Sequence, residues 1–187
     1  NSQGKFISVL KGRIFDVVID LRKNSKTFGR VYKCVLSEKN NTSICSLSPG
    51  LFKSKIDSDL THTEINNFDK IINFTEEFQT NKIIVFGFED EGFENFDKKK
   101  IIFKMLNIYE NLLEKCIKKK ITLLIENDRG HYANNSDILV EVLKNLPSDN
   151  FKINWDPCNC IGEKNSIRPY PDFYDLIKDR IGHLHVK

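Results

Sequence analysis

Three side chains that can bind metal stand at the ends of short apolar segments. Glu126 and Asp156 each end such a segment, and His185 lies near the end of a third. If the segments are strands, each of these residues shares a face with the residues two and four positions before it. Two carboxylates and an imidazole would form a mixed oxygen and nitrogen site for a divalent ion such as Mn, Mg, Co or Zn. Acidic residues after strands are common, so the spacing alone leaves a purely structural role open.

The elements that would position these side chains alternate regularly after residue 43. The segment 98–119 has apolar residues at spacings of three and four, which is typical of an amphipathic helix. The segment 82–88 is apolar on both faces, as a parallel strand covered by helices should be. This alternation predicts a parallel sheet or a (β/α) barrel. Strands are expected at 44–48, 82–88, 121–126, 151–156 and 181–186, and helices at about 62–79, 98–119, 136–146 and 171–179.

The first 43 residues have the pattern of strands alone. Apolar side chains alternate with a period of two from Phe15 to Leu21. Lys11-Gly12 separates this run from residues 5–10 and predicts a tight hairpin. A third run at 29–36 completes a segment that is all-β in character.

Composition and charge exclude several classes of protein. The 187 residues are 40% hydrophobic and 29% charged, which suits one globular domain or two small ones rather than a disordered chain. The net charge of +3 supplies no strong field for nucleic acid or membranes, and there is no apolar run long enough for a transmembrane helix. Five Cys without a CxxC pair indicate reduced thiols, so we expect a cytoplasmic protein. The chain begins with Asn rather than Met, which suggests an excerpt or a processed chain.

Several motifs after residue 43 occur in the order of one known family. They resemble the strand ends of the sugar phosphate isomerases/epimerases of the xylose isomerase-like TIM barrel superfamily. The motifs are SPGLFK at 48–53, VFGF at 85–88, LIENDRGHY at 124–132, WDPCN at 155–159 and HLHVK at 183–187.

This resemblance implies a divalent metal bound by Glu126, Asp156 and His185. It also implies metal-assisted proton transfer next to a carbonyl, through an enediolate, with Glu126 as one of the carboxylates that move the proton. Lys53 and Lys187 are candidates for binding the hydroxyls or phosphate of a sugar or sugar phosphate. A solvent-exposed lysine without such a role is the alternative for both.

The sequence departs from the family pattern in two respects. Asn159 stands where several epimerases have a substrate-contacting His, so it is a candidate for substrate binding and leaves the sugar undetermined. The fourth ligand in such barrels is a Glu on the last strand, which this sequence is expected to lack. The superfamily also contains type-IV AP endonucleases, which hold three zinc ions with many His. Four His and a balanced charge disfavour that alternative.

Residues 3–40 resemble a second family. The stretches QGKF at 3–6, GRIFDVVIDLRK at 12–23, TFG at 27–29 and LSE at 36–38 are similar to dTDP-4-dehydrorhamnose 3,5-epimerase, a cupin-type β-barrel. The resemblance implies that Lys5 and Asp16 correspond to active-site positions, where a Lys would stabilise the enolate formed when the C3 and C5 protons leave. The catalytic His of that family has no counterpart here. Strands that only cover or extend a neighbour are therefore the alternative.

Taken together, the patterns predict an α/β protein in two parts. A cupin-like β segment at 1–43 precedes an incomplete (β/α) TIM-type barrel of about five βα units at 44–187. Because eight units close a barrel, we expect a longer parent chain or assembly with another copy as a homo-oligomer. The predicted function is that of a carbohydrate isomerase or epimerase. The alternatives are a nucleotide-sugar 3,5-epimerase acting through the cupin part and a non-catalytic sugar-binding module.

Overall fold

A computed structural model gives the architecture of the chain. It describes residues 9, 11–20, 25–37, 44–92, 97–161 and 167–186. The chain divides into two compact units, residues 1–44 and residues 45–187. In the described residues the first unit contains strands alone, whereas the second alternates strands with helices.

The first unit is an antiparallel ribbon of two strands. Strand β1 (Arg13–Ile19) pairs with β2 (Val31–Ser37). The connection between them is held by Asp20, whose carboxylate accepts hydrogen bonds from the hydroxyls of Ser25, at 2.6 Å, and Thr27, at 2.5 Å. This ribbon agrees with two of the three predicted strands.

The predicted strand at 5–10 lies almost entirely outside the described residues, and so does its pairing with β1. Gly12 has φ of +87°, a conformation that suits the turn expected at that point. Large apolar side chains of the ribbon are exposed, and they are Ile14, Phe15, Val17, Ile19, Val31, Tyr32 and Val35. Two strands have too little surface to bury both of their faces, and β1 and β2 are the strands that the described part of this unit contains.

The second unit contains a sheet of five parallel strands in sequential order. This confirms the predicted α/β fold, and the described strands do not close into a barrel. The strands are β3 (Leu47–Leu51), β4 (Lys82–Phe86), β5 (Thr122–Glu126), β6 (Phe151–Trp155) and β7 (Ile181–Leu184).

Helices connect these strands, and three of them begin at a side-chain cap. Ser58, Asp97 and Asn135 each accept hydrogen bonds from backbone N–H groups of the first turn that would otherwise lack a partner. The helices are α1 (Asp59–Asn66), α2 (Phe68–Glu77), α3 (Lys98–Lys118), α4 (Ser136–Asn145) and α5 (Tyr174–Ile177). Within the described residues, no helix is both long and apolar enough to cross a membrane.

The prediction of a single helix at 62–79 was wrong. Asn67 has φ of −94° and ψ of 3°, which separates α1 from α2. Its side-chain amide donates a hydrogen bond to the carbonyl of Thr63, in the last turn of α1, at 2.8 Å. The buried Phe68 then begins α2 and is part of the core.

The helix predicted at 171–179 is also much shorter than expected. The segment forms α5 with irregular helical turns on either side, at Pro169–Phe173 and Lys178–Arg180. Tyr170 has φ of −134° and ψ of 136°, the extended conformation favoured before a proline, and this interrupts the helical backbone before Pro171. Similarly, the first strand of the sheet begins at Leu47 rather than at residue 44.

The main core lies between the sheet and the helices. Tyr109 of α3 is at its centre, with ring centroids 5.5 Å from Phe151 and 5.8 Å from Phe88. Its hydroxyl donates to the carbonyl of Phe86 at 2.7 Å, which fixes the end of β4. The opposite face of the sheet, called the inner face here, carries a smaller buried cluster of Ile84, Phe86 and Leu124.

Replacing Tyr109 with Phe is expected to lower the free energy of unfolding by about 1–3 kcal/mol, because the buried carbonyl of Phe86 loses its donor. Urea unfolding followed by circular dichroism would measure this. The matched control is Tyr170→Phe, since Tyr170 is largely exposed and should tolerate the change. Equal effects of the two substitutions would contradict the assignment.

Candidate metal centre

Strand register brings two carboxylates to the same edge of the sheet. In the parallel pair β5–β6, Glu126 lies beside Asn154. Asp156 follows two residues later and therefore points to the same inner face. Phe86, at the end of β4, lies on the other side of Glu126. The sheet thus presents a phenyl ring and two carboxylates side by side at its carboxyl edge.

His185 joins them through an irregular pairing of β7. Ile181 pairs with Ile153 but His183 pairs with Asn154, so Gly182 is an extra residue in β7. The expectation that Ile181 shares a face with both histidines was therefore wrong, because the extra residue reverses the alternation. Beyond the irregularity, the backbone N–H of His185 donates to the carbonyl of Trp155 at 2.9 Å and holds its side chain beside the carboxylates.

Glu126, Asp156 and His185 converge as the sequence predicts. Nδ1 of His185 is 3.1 Å from Oε1 of Glu126 and 3.4 Å from Oδ2 of Asp156. The carboxylate side chains are 5% and 0% exposed, whereas that of His185 is 44% exposed. The group is consequently buried on the side of the acids and open on the side of the imidazole.

Asn154 and His183 fix the orientation of the Glu126 carboxylate. The buried Asn154 amide donates to Oε2 of Glu126 at 2.6 Å, so its own oxygen must accept from Nδ1 of His183, at 2.9 Å. Burial is the largest cause of a lowered pKa of His183, and the charges of Lys82 and His185 lower it further. A neutral His183 with its proton on Nδ1 suits this chain of hydrogen bonds. It leaves Oε1 of Glu126 directed at His185.

Asp156 is positioned by the backbone and by Asn127. Its Oδ1 accepts from the backbone N–H of Cys158 at 2.9 Å. The fully buried Asn127 side chain accepts from the N–H of Asp156 at 2.8 Å and donates to its carbonyl at 2.9 Å. One amide thus joins the ends of β5 and β6 and fixes the spacing of the two carboxylates.

A polar rim surrounds this group at the same edge. Lys53, which follows β3, forms an ion pair with Asp128 at 2.8 Å, and its Nζ lies 3.8 Å from the ring centroid of Phe86. Asn159 is buried, and its amide nitrogen lies 3.4 Å from Oδ1 of Asp128. His131 packs against Phe86 with ring centroids 5.9 Å apart.

The structure does not test the roles of the other predicted site residues. Lys5 and Lys187 lie outside the described residues. Asp16 is in the ribbon, opposite Cys34, and belongs to the first unit. The role proposed for each of them stays a prediction.

The donor set fits a divalent cation. One oxygen of each carboxylate and a ring nitrogen of His185 lie within 4.8 Å of one another. Atoms that bind one divalent ion each lie about 2.0–2.6 Å from it. The three donor atoms are therefore close enough to one another to share an ion. Oxygen and imidazole donors together suit Mn, Mg, Co or Zn.

Sequence reasoning missed the residues that hold this group in place. Asn154 could have been noticed, because it lies two positions before Asp156 on the same face of a predicted strand. Asn127 could not, since it follows Glu126 and the alternation would direct it away from the site. The pairing of Lys53 with Asp128 joins residues 75 positions apart and leaves no local signal.

The family model described as "Xylose isomerase-like TIM barrel" matches residues 35–187, which is most of the chain. The chain belongs to this family. The resemblance inferred from the sequence is thereby confirmed for the second unit, and the order of strands and helices agrees with it.

Solved structures of the same fold agree with the family. The probable 3-DHS dehydratase AsbF from Bacillus anthracis has a TM-score of 0.64 at 21% identity, over 78% of this chain and 50% of that one. A xylose isomerase-like TIM barrel protein from Mycobacterium smegmatis, in complex with magnesium, has a TM-score of 0.63 at 16% identity, over 78% and 51%. The 3-keto-D-glucoside 4-epimerase YcjR from E. coli has 0.61 at 12% identity, over 79% and 60%. This xylose isomerase-like chain spans about half the length of the first two.

The N-terminal part matches a different family model, dTDP-4-dehydrorhamnose 3,5-epimerase, over residues 1–51. The enzyme of that name from Methanothermobacter thermautotrophicus is 53% identical over 38 residues, which cover 20% of this chain and 20% of that protein. The second resemblance inferred from the sequence is therefore also confirmed, over a short stretch.

Replacing Asn127 with Leu is expected to lower the free energy of unfolding by about 2–5 kcal/mol, because two buried backbone groups of Asp156 lose their partners. Thermal and urea unfolding would measure the loss. Asn145→Leu is the matched control, since the Asn145 side chain bonds only within α4 and is exposed. If the Asn127 variant were as stable as this control, the hydrogen bonds of Asn127 between β5 and β6 would not stabilise the fold.

Proposed function

We propose that this chain is a carbohydrate isomerase or epimerase, which acts on a sugar or sugar phosphate by metal-assisted proton transfer next to a carbonyl. The observation that supports this most is the convergence of Glu126, Asp156 and His185 at the carboxyl edge of a parallel sheet. Membership of the xylose isomerase-like family supports the same reaction class. In this proposal residues 44–187 carry the activity.

Glu126, Asp156 and His185 would hold a divalent ion, with Mn, Mg, Co and Zn as candidates. When bound, such an ion polarises a carbonyl and stabilises negative charge that develops on its oxygen. The magnesium complex of the Mycobacterium smegmatis protein supports the choice of a divalent cation. The mixed donor set does not select among the four ions.

Glu126 is the proposed proton carrier. Asn154 holds Oε2, so one oxygen has a fixed direction and the other faces the open side near His185. Burial keeps water away from the carboxylate, which strengthens its interaction with a substrate proton. A carboxylate that is oriented and desolvated in this way is suited to take a proton from a carbon next to a carbonyl.

Lys53, Asn159 and Lys187 are the proposed substrate-binding residues. Lys53 and Asn159 lie on the rim beside Asp128, where their N–H groups could donate to sugar hydroxyls. Similar structures include a 3-keto-D-glucoside 4-epimerase and a D-psicose 3-epimerase in the presence of D-fructose. A ketose or keto-sugar is therefore the substrate class to test first.

A second candidate is 3,5-epimerisation of a nucleotide sugar through the segment 1–43, with Lys5 and Asp16 in the site. The 53% identity to a dTDP-4-dehydrorhamnose 3,5-epimerase supports it, over 38 residues. This reaction would need no metal, which separates it experimentally from the first proposal. A non-catalytic sugar-binding role is the remaining alternative.

Titration with Mn2+ or Co2+ by calorimetry should show binding of about one ion per chain at the proposed site. The variant Glu126→Gln/Asp156→Asn should lose this binding, because both anionic ligands become neutral amides. The control Asp137→Asn/Glu141→Gln removes two exposed carboxylates of α4 and should bind like the unmodified chain. A folded chain that binds neither ion would contradict the metal proposal.

Proton–deuterium exchange at sugar carbons tests the reaction itself. With Mn2+, a panel of ketoses that includes D-fructose should exchange protons next to the carbonyl, and EDTA should abolish the exchange. Glu126→Gln should reduce the exchange rate by at least about 100-fold, in line with the loss of a general base. Exchange of a dTDP-4-keto sugar that survives EDTA would instead favour the cupin segment. Sugar binding with neither metal binding nor exchange would favour the sugar-binding alternative.

A further inference from the structure

An ion pair spans the edge of the sheet next to the proposed site. Lys53 follows β3 and Asp128 follows β5, so their 2.8 Å contact passes over the end of β4 between them. Nζ of Lys53 lies over Phe86, which is the strand neighbour of Glu126 on the inner face. The pair therefore lies where a substrate held at Glu126 would extend.

The backbone holds Lys53 in this position. Phe52 has φ of +65°, a conformation that costs energy for a residue with a side chain. Its N–H donates to the Glu64 carboxylate at 2.8 Å, and its carbonyl accepts from the N–H of Phe88 at 3.0 Å. Because both groups are fixed, the backbone directs the side chain of Lys53 over the end of β4.

Asp128 is the less exposed partner. Its side chain is 18% exposed, compared with 49% for Lys53. Its Oδ1 accepts from the N–H of Arg129 at 3.1 Å and lies 3.4 Å from the amide nitrogen of Asn159, so the carboxylate is held from two sides. An anchored carboxylate compensates the charge of Lys53 better than a freely rotating one would.

The charge of the neighbouring Arg129 is directed elsewhere. Its guanidinium donates to the carbonyls of Cys158 and Ile161, at 2.9 and 2.5 Å, and so stabilises the turn that follows Asp156. Lys53 is thus the lysine that lies over Phe86 at the carboxyl edge, and Asp128 compensates its charge.

We propose that Asp128 is a specificity-determining residue, which neutralises Lys53 so that the site accepts an uncharged sugar and disfavours a phosphorylated one. The inference rests on the proposed function, because it assigns the substrate class of that same site. A Lys ammonium has three N–H donors. With one of them given to Asp128, the others are available for sugar hydroxyls. A phosphate group that approached Lys53 would meet the Asp128 carboxylate within a few ångströms, where like charges repel strongly.

The experiment uses metal-free protein in EDTA and three probes: inorganic phosphate, D-fructose 6-phosphate and D-fructose. Binding is followed by two-dimensional NMR of the labelled chain. Asp128→Asn should tighten the Kd for both phosphorylated probes by at least about tenfold, because it uncovers the lysine charge with little change of shape. Binding of D-fructose should change by less than about threefold. The double variant Asp128→Asn/Lys53→Met should lose the gain.

Two controls separate this role from a general charge effect or a structural one. Asp137→Asn breaks a similar exposed pair, in which Lys98 lies 3.0 Å from Asp137, and should produce no tighter phosphate binding. Asp128→Glu keeps the negative charge and should behave like the unmodified chain. Phosphate binding by the unmodified chain that is as tight as in Asp128→Asn would overturn the proposal. So would an equal gain in the Asp137→Asn control.

Failure of this inference can be distinguished from failure of the proposed function. Metal titration of the same preparations reports on Glu126, Asp156 and His185, whereas the phosphate probes report on Lys53 and Asp128 without any metal. If the chain binds Mn2+ but Asp128→Asn has no effect on phosphate binding, the proposed reaction class stands and the assignment of an uncharged sugar as substrate is rejected.

Discussion

The burial of two neighbouring carboxylates is the constraint around which the second unit is arranged. Charged groups removed from water are costly unless hydrogen bonds or opposite charges compensate them. Glu126 receives the amide of Asn154, and Asp156 receives the backbone N–H of Cys158. His185 adds a partner shared by both. A divalent ion would supply the remaining positive charge, so the same arrangement that makes the acids costly without metal favours binding of one.

The strand pattern explains how much of the candidate metal centre could be predicted from the sequence. Alternation of side chains is local, so it placed Glu126 and Asp156 at strand ends, each on one face of its own strand. The register of β5 and β6 then brings both to the inner face. The pattern failed at β7, where the extra residue Gly182 reverses the alternation before His183. The glycine itself is a local signal, because an isolated Gly inside a strand often marks an irregularity or a close approach of neighbouring groups. At Gly182 an added Cβ would lie 2.8 Å from Leu124, a contact that depends on the neighbouring strands.

Helix boundaries failed for a related reason. The apolar spacing between residues 62 and 79 is compatible with one long helix, yet the backbone of Asn67 separates α1 from α2. The fully buried Phe68 begins α2, and its burial depends on the rest of the core rather than on the local spacing. In the same way, Asn127 and Asp128 acquire their roles only when β6 and β3 are beside them, and these contacts span 29 and 75 residues. Local sequence reasoning can therefore find the reacting groups more readily than the groups that orient them.

Desolvation also separates the two candidate centres. Proton transfer from carbon benefits from a base that water cannot reach, because bulk water weakens each electrostatic interaction that assists the step. Glu126 and Asp156 have this environment. Asp16 lies on a two-stranded ribbon whose neighbouring apolar side chains, such as Ile14 and Phe15, are open to solvent. Catalysis by the ribbon would require additional protein surface over it, whereas the group in the second unit already has the burial that the chemistry needs. This difference in environment favours the second unit as the place of the proposed reaction.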